Sequence, residues 1–287
     1  MFTVDSSIKL SVEKGVSRLP ALPTAALRIL EVVNDISCSP RDLMDVIKVD
    51  PVLTGRILNL VNSSYFSMPQ RITSLNRALI LLGFNTIKNI ALSTAFIDST
   101  KSQQQNDQID NLWQHLLGVG VAAKLIATKC GQPRQILEEF FVAGLLHDIG
   151  DLMLLRLCRE ETMLMLNGDA SSSSIAFDIQ CQQKLGISGP ACGDLMVQHW
   201  KLPAIFSDVV QHRAKHGKNA SFVVNVVHIA DKMIRQRNIG LRVDAIDIEI
   251  LNEELSLIGL KKQDLSEISE MLSQYIDKAQ VFMTEKK

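Results

Sequence analysis

The stretch Phe140-Phe141-Val142-Ala143-Gly144-Leu145-Leu146-His147-Asp148-Ile149-Gly150 decides how this chain folds. Its first seven residues are apolar without alternation, so the segment 134–149 reads as a helix that is apolar all round. Such a helix sits at the centre of its domain. His147 and Asp148 follow the apolar run directly. A carboxylate at the end of a core helix is costly unless it is paired, hydrogen-bonded or bound to a cation. Gly150 is expected to end this helix, so that both side chains converge at its terminus, although helix neighbours ordinarily diverge by about 100°.

Outward from that stretch, helical signals recur and strand-like alternation is nearly absent. Pro23-Thr24 opens one helix. Ser39-Pro40-Arg41-Asp42 opens a second, with Ser39 as cap, Pro40 at the first helical position and Asp42 against the helix dipole. Asp50-Pro51 repeats the device, and Asn62-Ser63-Ser64 ends that helix. Ser74 caps another, which Gly83 stops. Leu112, Leu116, Val119, Ala123 and Ile126 mark a long helix ended by Gly131, and further patterns cover 175–185, 190–199, 204–213 and 220–236. In the tail, Ile246, Ile250, Leu251 and Leu255 suit one amphipathic helix, and Leu265, Ile268, Leu272 and Ile276 another. The class is all-α: an N-terminal helical bundle over 1–98, a polar linker or loop over 99–110 (STKSQQQNDQID, starting at Ser99), and a second helical body over 111–287.

Composition sets limits on function. The chain is 287 residues long with 46% hydrophobic and 21% charged residues, which excludes disorder over most of its length. Thirty basic against 31 acidic residues give a net charge of −1, with no electrostatic footprint for nucleic acid or an anionic membrane. The paired helices at 41–62 have a turn-like connection, but Asp42, Asp45 and Asp50 make them unsuited to phosphates. Cys38, Cys130, Cys158, Cys181 and Cys192 show no CxxC pairing and read as small buried hydrophobes in a reducing compartment. No secretory signal and no span of ~20 apolar residues is visible, so the expected location is the cytoplasm.

The residues that break the hydrophobic rule are the candidate site. His115 lies on the 111–130 helix, Asp231 on the 220–236 helix, and His212 on the helix after Leu202-Pro203. With His147 and Asp148 they form a workable ligand set for one divalent metal, iron, manganese or zinc, with open positions for an activated water. His199, His216 and His228 are assigned to surface or packing roles.

Phe140 to Gly150 resembles the signature of the HD superfamily of metal-dependent phosphohydrolases. The rest of the chain resembles its HDOD branch, the HD-related output domain of bacterial signalling proteins. The carrying residues are Leu19-Pro20-Ala21-Leu22-Pro23, Asp50-Pro51 with Leu58, Asn62-Ser63-Ser64-Tyr65-Phe66, Ile72-Thr73-Ser74-Leu75, Leu82-Gly83, Leu112-Trp113-Gln114-His115, Trp200-Lys201-Leu202-Pro203 and His228-Ile229-Ala230-Asp231. They cover about 15–235. The resemblance implies an N-terminal bundle packed on an HD-like helical core and a role in signal transduction, usually as a non-catalytic interaction module. His115, His147, Asp148 and Asp231 match the minimal ligand pattern. The chain departs from it at Gly189, where intact members often carry a His, at His212-Arg213 in place of a His-His pair, and at Asp151 in place of a Lys. The Asp151 carboxylate would repel a phosphate.

Two functions follow as expectations. The first is a signalling module whose partners are other signalling proteins, with Asn62 to Met68 (NSSYFSM) as a candidate docking loop unless it packs on the core. The second is a metal-dependent phosphohydrolase acting on a nucleotide or phosphodiester, with Asp148 as ligand and base.

Overall fold

The computed structural model describes residues 24–34, 39–100, 107–166, 174–240 and 249–283. Among them there is no strand. Five helices form the N-terminal part: α1 (Thr24–Asn34), α2 (Pro40–Val49), α3 (Pro51–Val61), α4 (Leu75–Leu82) and α5 (Phe84–Thr100). Their starts are built as the sequence suggests. Ser39 and Asp42 form a capping box at α2, and the Asp50 carboxylate accepts from the Val52 and Leu53 amides at α3. Ser74 caps α4, and Gly83, at φ +83°, ends it.

The second part holds α6 (Asp107–Lys129), a 3₁₀ turn (Arg134–Ile136), α7 (Leu137–Leu146), α8 (Ile149–Leu157), α9 (Arg159–Leu166), α10 (Ser174–Leu185) and α11 (Gly189–His199). It continues with α12 (Ile205–Val209), α13 (His212–Lys215), α14 (Phe222–Arg235), α15 (Asn252–Leu257), α16 (Lys262–Ala279) and a closing 3₁₀ turn (Gln280–Phe282). Helix α7 is central, as its apolar sequence requires. It packs on α6, α14, α12 and α5, and through α5 the N-terminal helices share its core.

Two close backbone approaches set the geometry. A Cβ on Gly144 would lie 2.6 Å from the Gly120 Cα, so α6 and α7 touch main chain to main chain. That contact lies five residues beyond His115 and three before His147, and it brings the two imidazoles together. A Cβ on Gly150 would lie 1.8 Å from the Gly189 carbonyl oxygen, so α8 and α11 touch in the same way.

Gly150 therefore has a different job from the one expected. The helix ends at Leu146, Asp148 leaves helical geometry at φ −114° and ψ 28°, and Gly150 is the second residue of a new helix. The convergence of His147 and Asp148 comes from this break before Gly150. The single helix over 134–149 is a 3₁₀ turn, α7 and the start of α8. Ser99 and Thr100 finish α5 and Asp107–Asp110 open α6, so the border at 98 falls inside a helix, while 101–106 lie outside the described residues. Helix α9 has no counterpart in the sequence reading. Helix α15 starts only at Asn252, after Ile250 and Leu251, and Ile246 lies outside the described residues.

The 62–68 loop packs inward. Tyr65 is buried among Phe66, Phe141 and Phe282, and its hydroxyl accepts from Lys124 Nζ at 3.1 Å. Lys124 also pairs with the buried Glu138. The loop fastens the N-terminal helices to α6 and α7, and its central aromatic is not displayed for a partner. Cys158, Cys181 and Cys192 are buried and Cys130 is half-buried, while Cys38 lies outside the described residues.

Candidate metal centre

Three imidazoles are fixed by the same device. His115 Nδ1 lies 3.1 Å from the Ile239 carbonyl, His147 Nδ1 2.6 Å from that of Gly144, and His212 Nδ1 3.1 Å from that of Val209. A carbonyl only accepts, so each Nδ1 carries the proton it donates, and each Nε2 faces the interior. His115 Nε2 is 3.2 Å from His147 Nε2, 3.0 Å from Asp231 Oδ1 and 3.9 Å from Asp148 Oδ2. His147 Nε2 is 3.5 Å from Asp148 Oδ2 and 3.6 Å from Asp231 Oδ1. Four residues spread over 117 positions of sequence thus meet at one buried point. His212 stands beside them, its Nε2 3.4 Å from the other Asp231 oxygen, Oδ2.

The donor set suits one ion. Its four atoms all lie within 4.8 Å of one another. Ligands about 2.1 Å from a common metal are separated by roughly 3.0–3.4 Å, close to most of these spacings. Two imidazole nitrogens facing each other at 3.2 Å also need a proton or a cation between them. Two imidazoles and two carboxylates are compatible with iron, manganese or zinc.

Sequence reasoning missed one member, Arg235. Its Nε donates to Asp231 Oδ1 at 2.7 Å and its Nη2 to Asp148 Oδ2 at 3.0 Å. These are the same two oxygens that face the imidazoles. Arg235 is 2% exposed, Asp148 2% and Asp231 4%, so the guanidinium lies across both carboxylates inside the protein. The available signal was an Asp–Arg pair four apart on the buried face of α14.

These neighbours set the protonation states. Burial alone would raise the Asp231 carboxyl, but Arg235 and the three neighbouring histidines hold it well below the usual carboxylate range. Burial pushes His212 down to about 4 against the pull of Asp231, and it lowers His115 as well. For His147 burial is outweighed by Asp148 and Asp231, and its pKa is raised.

A second group, His216, His228 and Glu254, lies beside the first, with the His212 and His228 rings 6.2 Å apart. The His216 and His228 rings are stacked, 3.6 Å apart and 5° from parallel. Parallel stacked rings cannot both present a lone pair edge-on to one ion. Glu254 instead accepts from His228 Nε2 at 3.0 Å and from Lys232 Nζ at 2.7 Å. This is an ion-pair network joining α14 to α15, in keeping with the packing role expected of His216 and His228. His199 is exposed.

A family model of the HDOD domain matches residues 19–216. The chain belongs to the HDOD domain family. An HDOD domain protein of unknown function from Geobacter sulfurreducens superposes with a TM-score of 0.74 at 24% identity, covering 97% of this chain and 99% of that one. A protein from Marinobacter aquaeolei VT8, provisionally described as a signal transduction protein, gives 0.73 at 19% identity, over 99% of this chain and 68% of that one. One from Shewanella amazonensis SB2B, provisionally described as a metal-dependent phosphohydrolase, gives 0.62 at 19%, over 95% and 99%. At these identities the likeness establishes the fold. An uncharacterised protein of Treponema pallidum is 21% identical over 236 residues, and the chain spans 45% of its length. The HDOD match ends at 216, so Asp231 and Arg235 lie beyond it. No described helix is long and apolar enough to cross a membrane.

Proposed function

We propose that this HDOD protein is a non-catalytic signal-transduction module that acts by binding other signalling proteins. One observation carries the reading: the Arg235 guanidinium spans Asp148 and Asp231 inside a centre whose groups are all buried. A phosphoester needs an open side of the centre and a cation free to meet its charge. Here the cation is already engaged by two carboxylates. Asp151, two residues after Ile149 in the same segment, is buried and adds no positive charge.

The alternative, hydrolysis of a nucleotide or phosphodiester, is favoured by the four converging ligand atoms. Were a divalent ion bound, it would supply Lewis acidity and an activated water, and His115, His147, Asp148 and Asp231 would hold it. The two readings separate in a turnover assay on protein reconstituted with iron or manganese. Release of p-nitrophenol from bis-p-nitrophenyl phosphate is expected to match that of a His147→Ala control. Metal-dependent turnover at least tenfold above the control decides for the hydrolase.

A further inference from the structure

A divalent ion at this centre faces a charge problem. Asp148 and Asp231 contribute two negative charges and Arg235 one positive charge, all of them buried. With neutral imidazoles these three groups sum to −1 without an ion and to +1 with a divalent one. Without Arg235, two carboxylates and the same ion sum to zero. Uncompensated charge in a protein interior is expensive. The guanidinium also donates to the very oxygens a metal would use, Asp231 Oδ1 and Asp148 Oδ2, at 2.7 and 3.0 Å.

We infer that Arg235 is a built-in cation that stands in for the metal: it competes with a divalent ion for Asp148 and Asp231 and makes the ion dispensable to the fold. The planar fork joins Asp231, four residues away on its own helix, to Asp148, 87 residues from Arg235 in sequence, and so ties the break after α7 to the end of α14. The inference concerns the same centre as the non-catalytic reading but does not depend on it, since a weakly bound ion and absence of turnover are measured separately.

The opposite role is physically reasonable and makes the test sharp. An arginine that merely orients metal-binding carboxylates supports the ion, and its loss weakens binding by about 10–100-fold. A competing cation gives the reverse sign. Manganese titration of the full chain, followed by calorimetry, is expected to show Arg235→Gln binding at least about tenfold tighter than wild type. In the chelated state Arg235→Gln is expected to melt well below wild type and to regain most of the difference in manganese. Wild type itself is expected to shift by less than about 2 °C between EDTA and manganese. Weaker or unchanged binding by Arg235→Gln overturns the inference. So does a wild type that loses more than about 10 °C in EDTA, and this arm decides alone if the variant does not fold.

Discussion

Gly150→Ala is expected to leave no stably folded protein. The added Cβ would lie 1.8 Å from the Gly189 oxygen and 2.6 Å from the Gly193 nitrogen, both main-chain atoms that no rotamer change can move. Gly193 is itself backed by Val210, 3.1 Å from its own notional Cβ, so α11 has little room to retreat. Ordinary overpacking costs about 1–3 kcal/mol, and a backbone collision of this depth is expected to exceed about 4 kcal/mol. Against a total stability of roughly 5–15 kcal/mol that is a large share. Gly55, with nothing within 4 Å of its Cβ position, is the matched control. Gly55→Ala is expected to be neutral or to gain up to about 1 kcal/mol, since alanine is the better helix former. Urea melts of the two variants make the comparison. A Gly150→Ala protein with the wild-type midpoint means that α8 and α11 are not in main-chain contact.

Asp231→Ala is expected to be the most damaging change within the centre, at about 3–5 kcal/mol in metal-free buffer. It strips Arg235 Nε of its acceptor while leaving the guanidinium buried. Asp231→Asn keeps the shape and loses the charge, and it allows the pH dependence to be read. The Asp231 carboxyl is depressed in the folded protein because Arg235 and the histidines outweigh its burial. A depressed carboxyl contributes stability above its unfolded value, about 3.9, and loses it as pH falls below that value towards the folded one. The stability gap between wild type and Asp231→Asn is therefore expected to be full at neutral pH and to shrink below about pH 4. A gap that does not change with pH removes the charge from the explanation.

Much of this was legible in the sequence because it depends on local pattern. Ser39, Asp50 and Ser74 cap helices where their spacing places them, and the unbroken apolar run of α7 marks the centre of the body. His115, His147, Asp148 and Asp231 are visible because each is a polar residue on an apolar background. What was not legible depends on distances between elements. Gly150 looks like a terminator next to its neighbours in sequence, and only the α8–α11 approach shows that its missing side chain is used for packing. Tyr65 in a polar loop looks displayed until α6, α7 and the final turn close over it. Arg235 sits four residues from Asp231, but nothing local says that its other nitrogen reaches Asp148.

Everything proposed for this buried centre requires that Arg235 supplies its positive charge. The most direct measurement is anomalous diffraction from wild-type crystals grown in a few millimolar manganese, with data on both sides of the manganese edge. These crystals are expected to show Arg235 bound across Asp148 and Asp231 with no anomalous peak, or a weak one, among the four side chains. A full-height peak ligated by His115, His147, Asp148 and Asp231, with Arg235 turned away from both carboxylates, would contradict it.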